Sequence, residues 1–280
     1  MVNLKSTPIL DHEHFRPSVA VDGVVFAMLE NELNVLLIKR GAIEKSGKKR
    51  PFYNYWALPG GFMRSQETTT QSVTRELKEE AGLDLIKKSI KPHQLNVYSN
   101  PTRDSYNFDK NLPFGSHKQI ISQAFLVMLP RGYNPISGTD AIDAKFFKVK
   151  DVINGKIENG NLAFDHQEIL NDALTYLTEK LTHSTIALNF CNKNFTIADI
   201  RYVYQSVWSI KHNEIIVELG NFQNKILKQK DENGKPLISE LPKDKQKLRK
   251  QVSKGAPAKL FQKTSKSERL SHPMMPPKKR

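Results

Sequence analysis

"GGFMRSQETTTQSVTRELKEEAGL", Gly60 to Leu83, decides how this chain is read. Thr68 and Gln71, three residues apart, make a capping-box pattern that places a helix start near Thr69. Gly82 supplies a left-handed stop, so the spacing predicts a helix over 69–81. Val73, Leu77 and Ala81 share one face of that helix and are expected to pack on a sheet. Glu80, Glu76 and Glu79 follow around the helix, with Arg75 beyond them. Like charges three and four residues apart repel, so local helix stability does not account for the three carboxylates. Crowded at the edge of a buried stripe, at least one should hold its proton unusually tightly unless a cation neutralises the group. A hard divalent ion, Mg²⁺ or Mn²⁺, suits an all-oxygen donor set. A solvated Glu/Arg face is the plainer reading of "RELKEE" taken alone.

The rest of the chain limits the choices. Its 280 residues allow a sizeable core in one large domain or two smaller ones. A lone cysteine, Cys191, excludes an internal disulfide framework and suits a reducing compartment. The N-terminal stretch lacks an apolar run of signal-peptide kind, and no segment reaches transmembrane length, so a cytoplasmic protein with no membrane partner is expected. The net charge of +14 is unevenly spread: residues 186–280 hold 20 Lys and Arg against 8 Asp and Glu, whereas residues 1–185 hold 23 against 21. A near-neutral part followed by a strongly basic one predicts two domains, the second facing a polyanion.

Outward from the acidic helix, "VAVDGVVFAML" and "NVLLIKR" flank the turn-like "ENELN" and predict a hairpin. "HQLNVYSN", "IISQAFLVMLP" and "AKFFKV" read as further strands, and "PTRDSYNFDKNLPFGSHK" as a long irregular loop. "FDHQEILNDALTYLTEKL" is an amphipathic helix. Mixed strands with one internal and one closing helix predict an α/β sandwich. The pattern then resets. "FTIADIRYVYQSVW" offers Thr196 as a helix cap, "GNFQNKILKQ" a second short helix, and "AKLFQ" a strand. The expected domains are 1–185, 186–263, and a basic disordered tail over 264–280.

The spacing of the acidic stretch is Gly61, five residues, Glu67, seven residues, Arg75-Glu76-Leu77, one residue, Glu79-Glu80, one residue, Gly82-Leu83. It resembles the Nudix box at every fixed position, a far more specific match than a lone glycine motif. The resemblance implies an α/β/α sandwich with a mixed sheet that hydrolyses a nucleoside diphosphate linked to another group. By that carry-over Glu76, Glu79 and Glu80 hold Mg²⁺ or Mn²⁺, together with an oxygen from the backbone at Gly61. Arg75 orients them and Glu67 supports the loop–helix junction. One Glu of the set, with Glu76 and Glu80 as reasonable candidates, or a carboxylate from a later loop would serve as general base; the sequence leaves that choice open.

"WALPGGF", "YSNPTRD", "GTDAIDAKFFKVKDV" and "LAFDHQEIL" are similar to the ADP-ribose-directed branch of this family. More narrowly they resemble the Nudix-related transcriptional regulators, in which an ADP-ribose-binding Nudix domain precedes a small winged helix-turn-helix domain. Candidate substrate contacts are Trp56, Gly60, Gly61, Phe62, Arg103 and Asp104. Core packing competes with base stacking at Trp56 and Phe62, and a loop ion pair competes at Arg103 and Asp104. His166 is expected to satisfy a hydrogen bond at its helix start, and Cys191 to pack. On the second short helix Asn221, Gln223, Asn224, Lys225 and Lys228 would face double-stranded DNA, amides at bases and lysines at phosphates, with Lys254 and Lys259 on the wing. Such proteins bind paired half-sites, so a homodimer is expected. The expected function is a transcription regulator sensing ADP-ribose or a related NAD metabolite with hydrolysis retained. The alternatives are a plain ADP-ribose pyrophosphatase with a basic extension, and an RNA-directed Nudix enzyme.

Overall fold

The computed structural model describes residues 17–42, 51–103, 119–132, 141–212, 215–248 and 258–277. Strands β1 (Ser18–Leu29) and β2 (Glu32–Arg40) form the expected hairpin. Its two-residue turn, Glu30-Asn31, has φ of 49° and 65°, the left-handed pair that matches the twist of adjoining strands. β6 (Ile120–Leu129) runs parallel to β1 along ten residue pairs, and β5 (His93–Tyr98) closes that edge antiparallel. β7 (Ala141–Lys148) lies antiparallel to β2. Two short strands complete a seven-stranded mixed sheet: β3 (Trp56–Ala57) on β2 and β4 (Gly60–Phe62) on β1.

Because strand side chains alternate between faces, each strand feeds two cores. Val21, Val25 and Ala27 of β1 and Phe125, Val127 and Leu129 of β6 pack against α1 (Thr69–Ala81) through Val73, Leu77 and Ala81. Val24, Phe26 and Met28, with Ala124, Leu126 and Met128, face the opposite side. There α3 (His166–His183) contributes Ile169, Leu170, Ala173, Leu174 and Leu177. A short helix, α2 (Val149–Ile153), leads from β7 toward α3. The α/β/α sandwich is therefore present. Deleting one of these packed side chains, as in Leu77→Ala, typically costs about 2–5 kcal/mol.

After α3 a 3-10 turn over Thr185–Phe190 leads into β8 (Asn194–Phe195), α4 (Ile197–His212) and α5 (Leu219–Leu227). β9 (Ile238–Glu240) and β10 (Phe261–Lys263) join β8 in a small antiparallel sheet ordered β8-β10-β9. Thr196 caps α4: its hydroxyl accepts from the Asp199 amide, and Asp199 accepts from the Thr196 amide. Ile197, Ile200, Val203, Tyr204 and Val207 are buried, as their spacing predicts. α4 sits directly on the first unit, where Ser206 Oγ accepts from the Leu33 amide at 2.7 Å. One apolar cluster runs without interruption from β1 through α3 to Trp208 and Phe222.

The expected disordered tail is not what the structure holds over 264–277. This segment crosses both units as an ordered strap. Leu270 N donates to His183 O and Met274 N to Thr182 O, at the end of α3. At the other side Gln229, just past α5, is buried, and its amide bonds His272 on both backbone groups and the Ser271 hydroxyl. Met274 fills the core at 1% exposure. Polar, lysine-rich composition signals disorder only when little apolar surface can be buried, and Met274 and Leu270 supply what the composition hides. Among the described residues no helix is long and apolar enough to cross a membrane.

Candidate functional site

The acidic helix starts and stops where its caps predict. Thr68 and Gln71 form both hydrogen bonds of a capping box, and Gly82 ends α1 at φ 64°. β4 pairs with β1 immediately before the helix, Asp22 opposite Gly60 and Val21 opposite Gly61, which brings the glycine pair against the carboxylates. Gly60 N donates to Glu80 Oε2 at 2.8 Å. A Cβ at Gly61 would lie 2.6 Å from Glu76 Oε1, so only glycine lets that carboxylate press on the strand.

Arg75 gathers the remaining acids. Its guanidinium bonds Glu67 Oε1 at 2.6 Å and Oε2 at 3.0 Å, Glu76 Oε1 at 2.6 Å and Glu79 Oε2 at 3.3 Å. Arg64 reaches both oxygens of Glu79 from the loop before the helix. Hydrogen bonds from Arg75 and from the Arg64 amide hold the Glu67 carboxyl down at about 2. Glu76 behaves oppositely: burial pushes its carboxyl above the ordinary value, with Glu79 adding to the rise, while Arg75 opposes it. Burial, more than the neighbouring carboxylates, sets Glu76 apart from the others.

Whether this set suits a divalent cation follows from its donors. Glu76, Glu79 and Glu80 offer only oxygens, beside a strand that leaves room for no Cβ at Gly61. As the side chains stand, no three acidic, His or Cys residues among those described converge in ligating geometry. Glu79 is turned toward Arg64 and Arg75, and Glu80 toward the Gly60 amide. The donor types and their common helix fit a hard cation, whose binding would require Glu79 to leave its arginines.

A second polar cluster, not foreseen apart from Arg103, lies behind the glycine pair. Asp22, buried in the middle of β1, accepts from Ser122 Oγ and faces His166 Nε2 at 3.4 Å and Arg103 at 3.4 Å. Leu58 N donates to His166 Nδ1 at 2.9 Å, so Nε2 carries the hydrogen that points at Asp22. His166 thus holds the loop ahead of β4 rather than its own helix start, a correction to the expectation. Burial alone would push the Asp22 carboxyl up, but His166, Arg103 and the Ser122 hydroxyl hold it at about 2. The signal was legible: a lone aspartate inside an apolar strand demands a buried partner.

The other candidates divide. Trp56 is buried against Phe147 and presents no ligand-facing ring, so it belongs to the core. Phe62 is 56% exposed, so core packing is not what this ring does. Arg103 makes a bidentate pair with Asp165 at 2.7 Å for both bonds, the ion-pair reading. Asp104 and Lys254 lie outside the described residues, as does most of the long loop after Arg103. On α5 only Phe222 and Ile226 are buried, which leaves Asn221, Gln223, Asn224 and Lys225 exposed, with Lys228 exposed at the C-cap. Lys259 is exposed and pairs with Glu240 across the small sheet.

A mixed sheet between two helices, with a glycine pair feeding a carboxylate-rich helix, defines an α/β/α sandwich class. Residues 18–172 match the NUDIX domain family, and the chain belongs to it. The chain is 36% identical over 163 residues to the ADP-ribose pyrophosphatase of Methanocaldococcus jannaschii, covering 58% of this chain and 76% of that protein. It is 24% identical over 199 residues to the ADPR responsive transcriptional repressor NtrR of Acinetobacter baylyi, covering 70% of this chain and 68% of that protein. The crystal structure of Shewanella oneidensis NrtR complexed with a 27mer DNA superposes with a TM-score of 0.64, covering 92% of this chain and 99% of that one, at 20% identity. That likeness extends the shared fold through the C-terminal helices and small sheet.

Proposed function

We propose that this protein is a transcription regulator that senses ADP-ribose or a related NAD metabolite through a Nudix domain over 1–185. A winged-helix domain over 186–263 would bind double-stranded DNA, the chain acting as a homodimer on paired half-sites. The observation that carries the reading is the pairing, in one chain, of an intact acidic helix with an α5 whose amides and lysines are exposed. The similarity to NtrR over 199 residues supports it.

On this reading Mg²⁺ or Mn²⁺, when bound, would screen the diphosphate charge and acidify a water. Glu76, Glu79 and Glu80 would hold it. Arg75 keeps Glu67 and Glu76 in place, and His166 with Asp22 fixes the strand that presents Gly60 and Gly61. A carboxylate would take the proton of the attacking water, Glu76 and Glu80 being the candidates on this helix. Ligand bound at the Nudix domain would alter the spacing of the two DNA-binding helices and so change DNA affinity.

The relative from Methanocaldococcus jannaschii favours a second reading, an ADP-ribose pyrophosphatase with a basic extension. Gel-shift titration of the full chain on its own genomic DNA, with and without ADP-ribose, separates the two. Specific binding that ADP-ribose shifts supports the regulator; no specific binding leaves the hydrolase. AMP release from ADP-ribose, lost in Glu79→Gln, tests retained turnover.

A further inference from the structure

The strap over 264–277 holds the two units alternately. It leaves β10 with Thr264 N donating to Leu237 O at 2.9 Å and Ser265 Oγ to Asp231 Oδ2 at 2.7 Å, so it starts on the turn that follows α5. Glu268 O then accepts from the Thr185 amide, and Leu270 N and Met274 N reach the carbonyls of His183 and Thr182 at 3.0 and 2.9 Å. Between those two anchors on α3, residues 271 and 272 turn back to Gln229. The Gln229 side chain, 3% exposed, donates from Nε2 to His272 O at 3.0 Å and accepts at Oε1 from His272 N at 3.1 Å. Ser271 Oγ adds a third bond to that oxygen and accepts from the Lys230 amide.

Glutamine is the side chain this arrangement needs. Its amide carries a donor and an acceptor in one plane and pairs with both backbone groups of one residue, as a neighbouring strand would. Glutamate lacks the donor, and asparagine is one methylene short. A methionine of like length would fill the space without those bonds, so packing alone does not require this residue. A buried polar network with every member satisfied fixes one geometry.

α5 also packs on α4, where Phe222 and Tyr204 meet at 5.2 Å between ring centres. α4 rests on the β1–β2 hairpin through Ser206 and Leu33, and Arg131, just past β6, pairs with Asp199 at 3.2 Å. A single joint of that kind leaves a rotation open. The strap ties the end of α5 to a second place, the last turn of α3. That helix starts at the polar cluster behind the glycine pair, where His166 faces Asp22 and Asp165 holds Arg103. Its 18 residues span about 27 Å at 1.5 Å per residue, so one rod runs from that cluster to the strap.

We propose that Gln229 is a positioning residue: through the strap it fixes the end of α5 to the end of α3. α5 thereby keeps one orientation on the Nudix domain and follows α3 when α3 shifts. The inference rests on the regulator reading for what that orientation serves, since α5 carries the side chains proposed to face DNA.

Spin labels on Asn171→Cys of α3 and Gly220→Cys of α5 read the distance between the two helices in the full chain by double electron–electron resonance. Both positions are exposed, a Cβ at Gly220 meets open space, and Cys191 is buried. Gln229→Met should at least double the width of a distribution that is narrow in the labelled parent, with far-UV circular dichroism unchanged. Ser271→Ala, which removes one of the three bonds, should broaden it less, and Met275→Ser, at an exposed neighbour, not at all. In the unlabelled chain Gln229→Met should weaken DNA binding severalfold and cut the ADP-ribose effect on it below twofold, while affinity for ADP-ribose itself stays within twofold. A distribution as narrow in Gln229→Met as in the parent overturns the proposal, and so does equal broadening in Met275→Ser. So does a broadened variant whose DNA binding and ADP-ribose response both match wild type. If Gln229→Met does not fold, an unbroadened Ser271→Ala overturns it. Broadening by Gln229→Met in a chain whose wild type binds no specific DNA keeps the positioning role and defeats the regulator reading instead.

Discussion

Gly61 and Glu76 are in such close approach that a single added methyl at Gly61 would sit 2.6 Å from Glu76 Oε1. The strand and the helix carboxylate have been brought together with no side chain between them, and the site depends on that gap. Gly61→Ala should leave the sandwich folded but displace the Glu76 carboxylate. We expect metal-dependent turnover to fall at least tenfold with far-UV circular dichroism unchanged. Steady-state AMP release checks this, and an unaltered kcat would show that Glu76 does not need its present position.

Arg75 is the hub of the acid cluster, bonding Glu67 through two nitrogens and Glu76 through a third. A lysine cannot reproduce that fork. Arg75→Lys should therefore behave nearly like Arg75→Ala, each costing turnover on the order of 100-fold. If lysine restores most activity, the role of Arg75 is charge alone.

Asp22 links pH to stability. Its folded value of about 2 lies below the ordinary 3.8. A depressed carboxyl contributes stability that is present above the unfolded value and is lost as pH falls through the folded one. The contribution is roughly 2 kcal/mol. Asp22→Asn should be destabilised by an amount of that order at pH 7, and the gap to wild type should narrow between pH 4 and pH 2. Urea unfolding across that range measures it.

The strap supplies stability at a site the composition hides. Met274→Asp places a charge where the side chain is 1% exposed, and truncation after Lys263 uncovers Gln229 as well. Both changes should lower the thermal midpoint by several degrees, a cost of about 2–4 kcal/mol by loss of burial and of satisfied polar groups. A truncated chain as stable as the full one would mean the strap is dispensable.

Cys191 should be inert in the native protein. Burial and the nearby Asp199 push its thiol up to about 12, so the reactive thiolate is scarce. The folded value exceeds the ordinary 9.0, so the thiol's contribution to stability is present below pH 9 and is lost as pH rises toward 12. Alkylation at pH 8 should be more than tenfold slower in buffer than in denaturant.

The acidic helix was legible because its determinants are local. Thr68, Gln71 and Gly82 set its ends, and Val73, Leu77 and Ala81 its inner face, all within the 13-residue helix and its two flanking caps. The hairpin at Glu30-Asn31 and the Thr196 cap at the start of α4 were legible for the same reason. The strands β3 and β4 were not, since two and three residues are too short to carry a period. The positions of Trp56 and Phe62 followed from that: one turns into the core and the other outward.

The sequence by itself determined the longer strands and helices in their order, the capped acidic helix with its three carboxylates, and the basic second part, because spacing, capping and charge act over a few residues. Tertiary structure alone decided that Asp22, Arg103 and His166 meet, though 81 residues separate the first two and 62 separate Arg103 from its partner Asp165. It also decided that the segment 264–277 folds back on α3 and the end of α5. Those contacts are chosen by which polar groups must be satisfied once the sheet and helices close around them, and no local pattern records that choice.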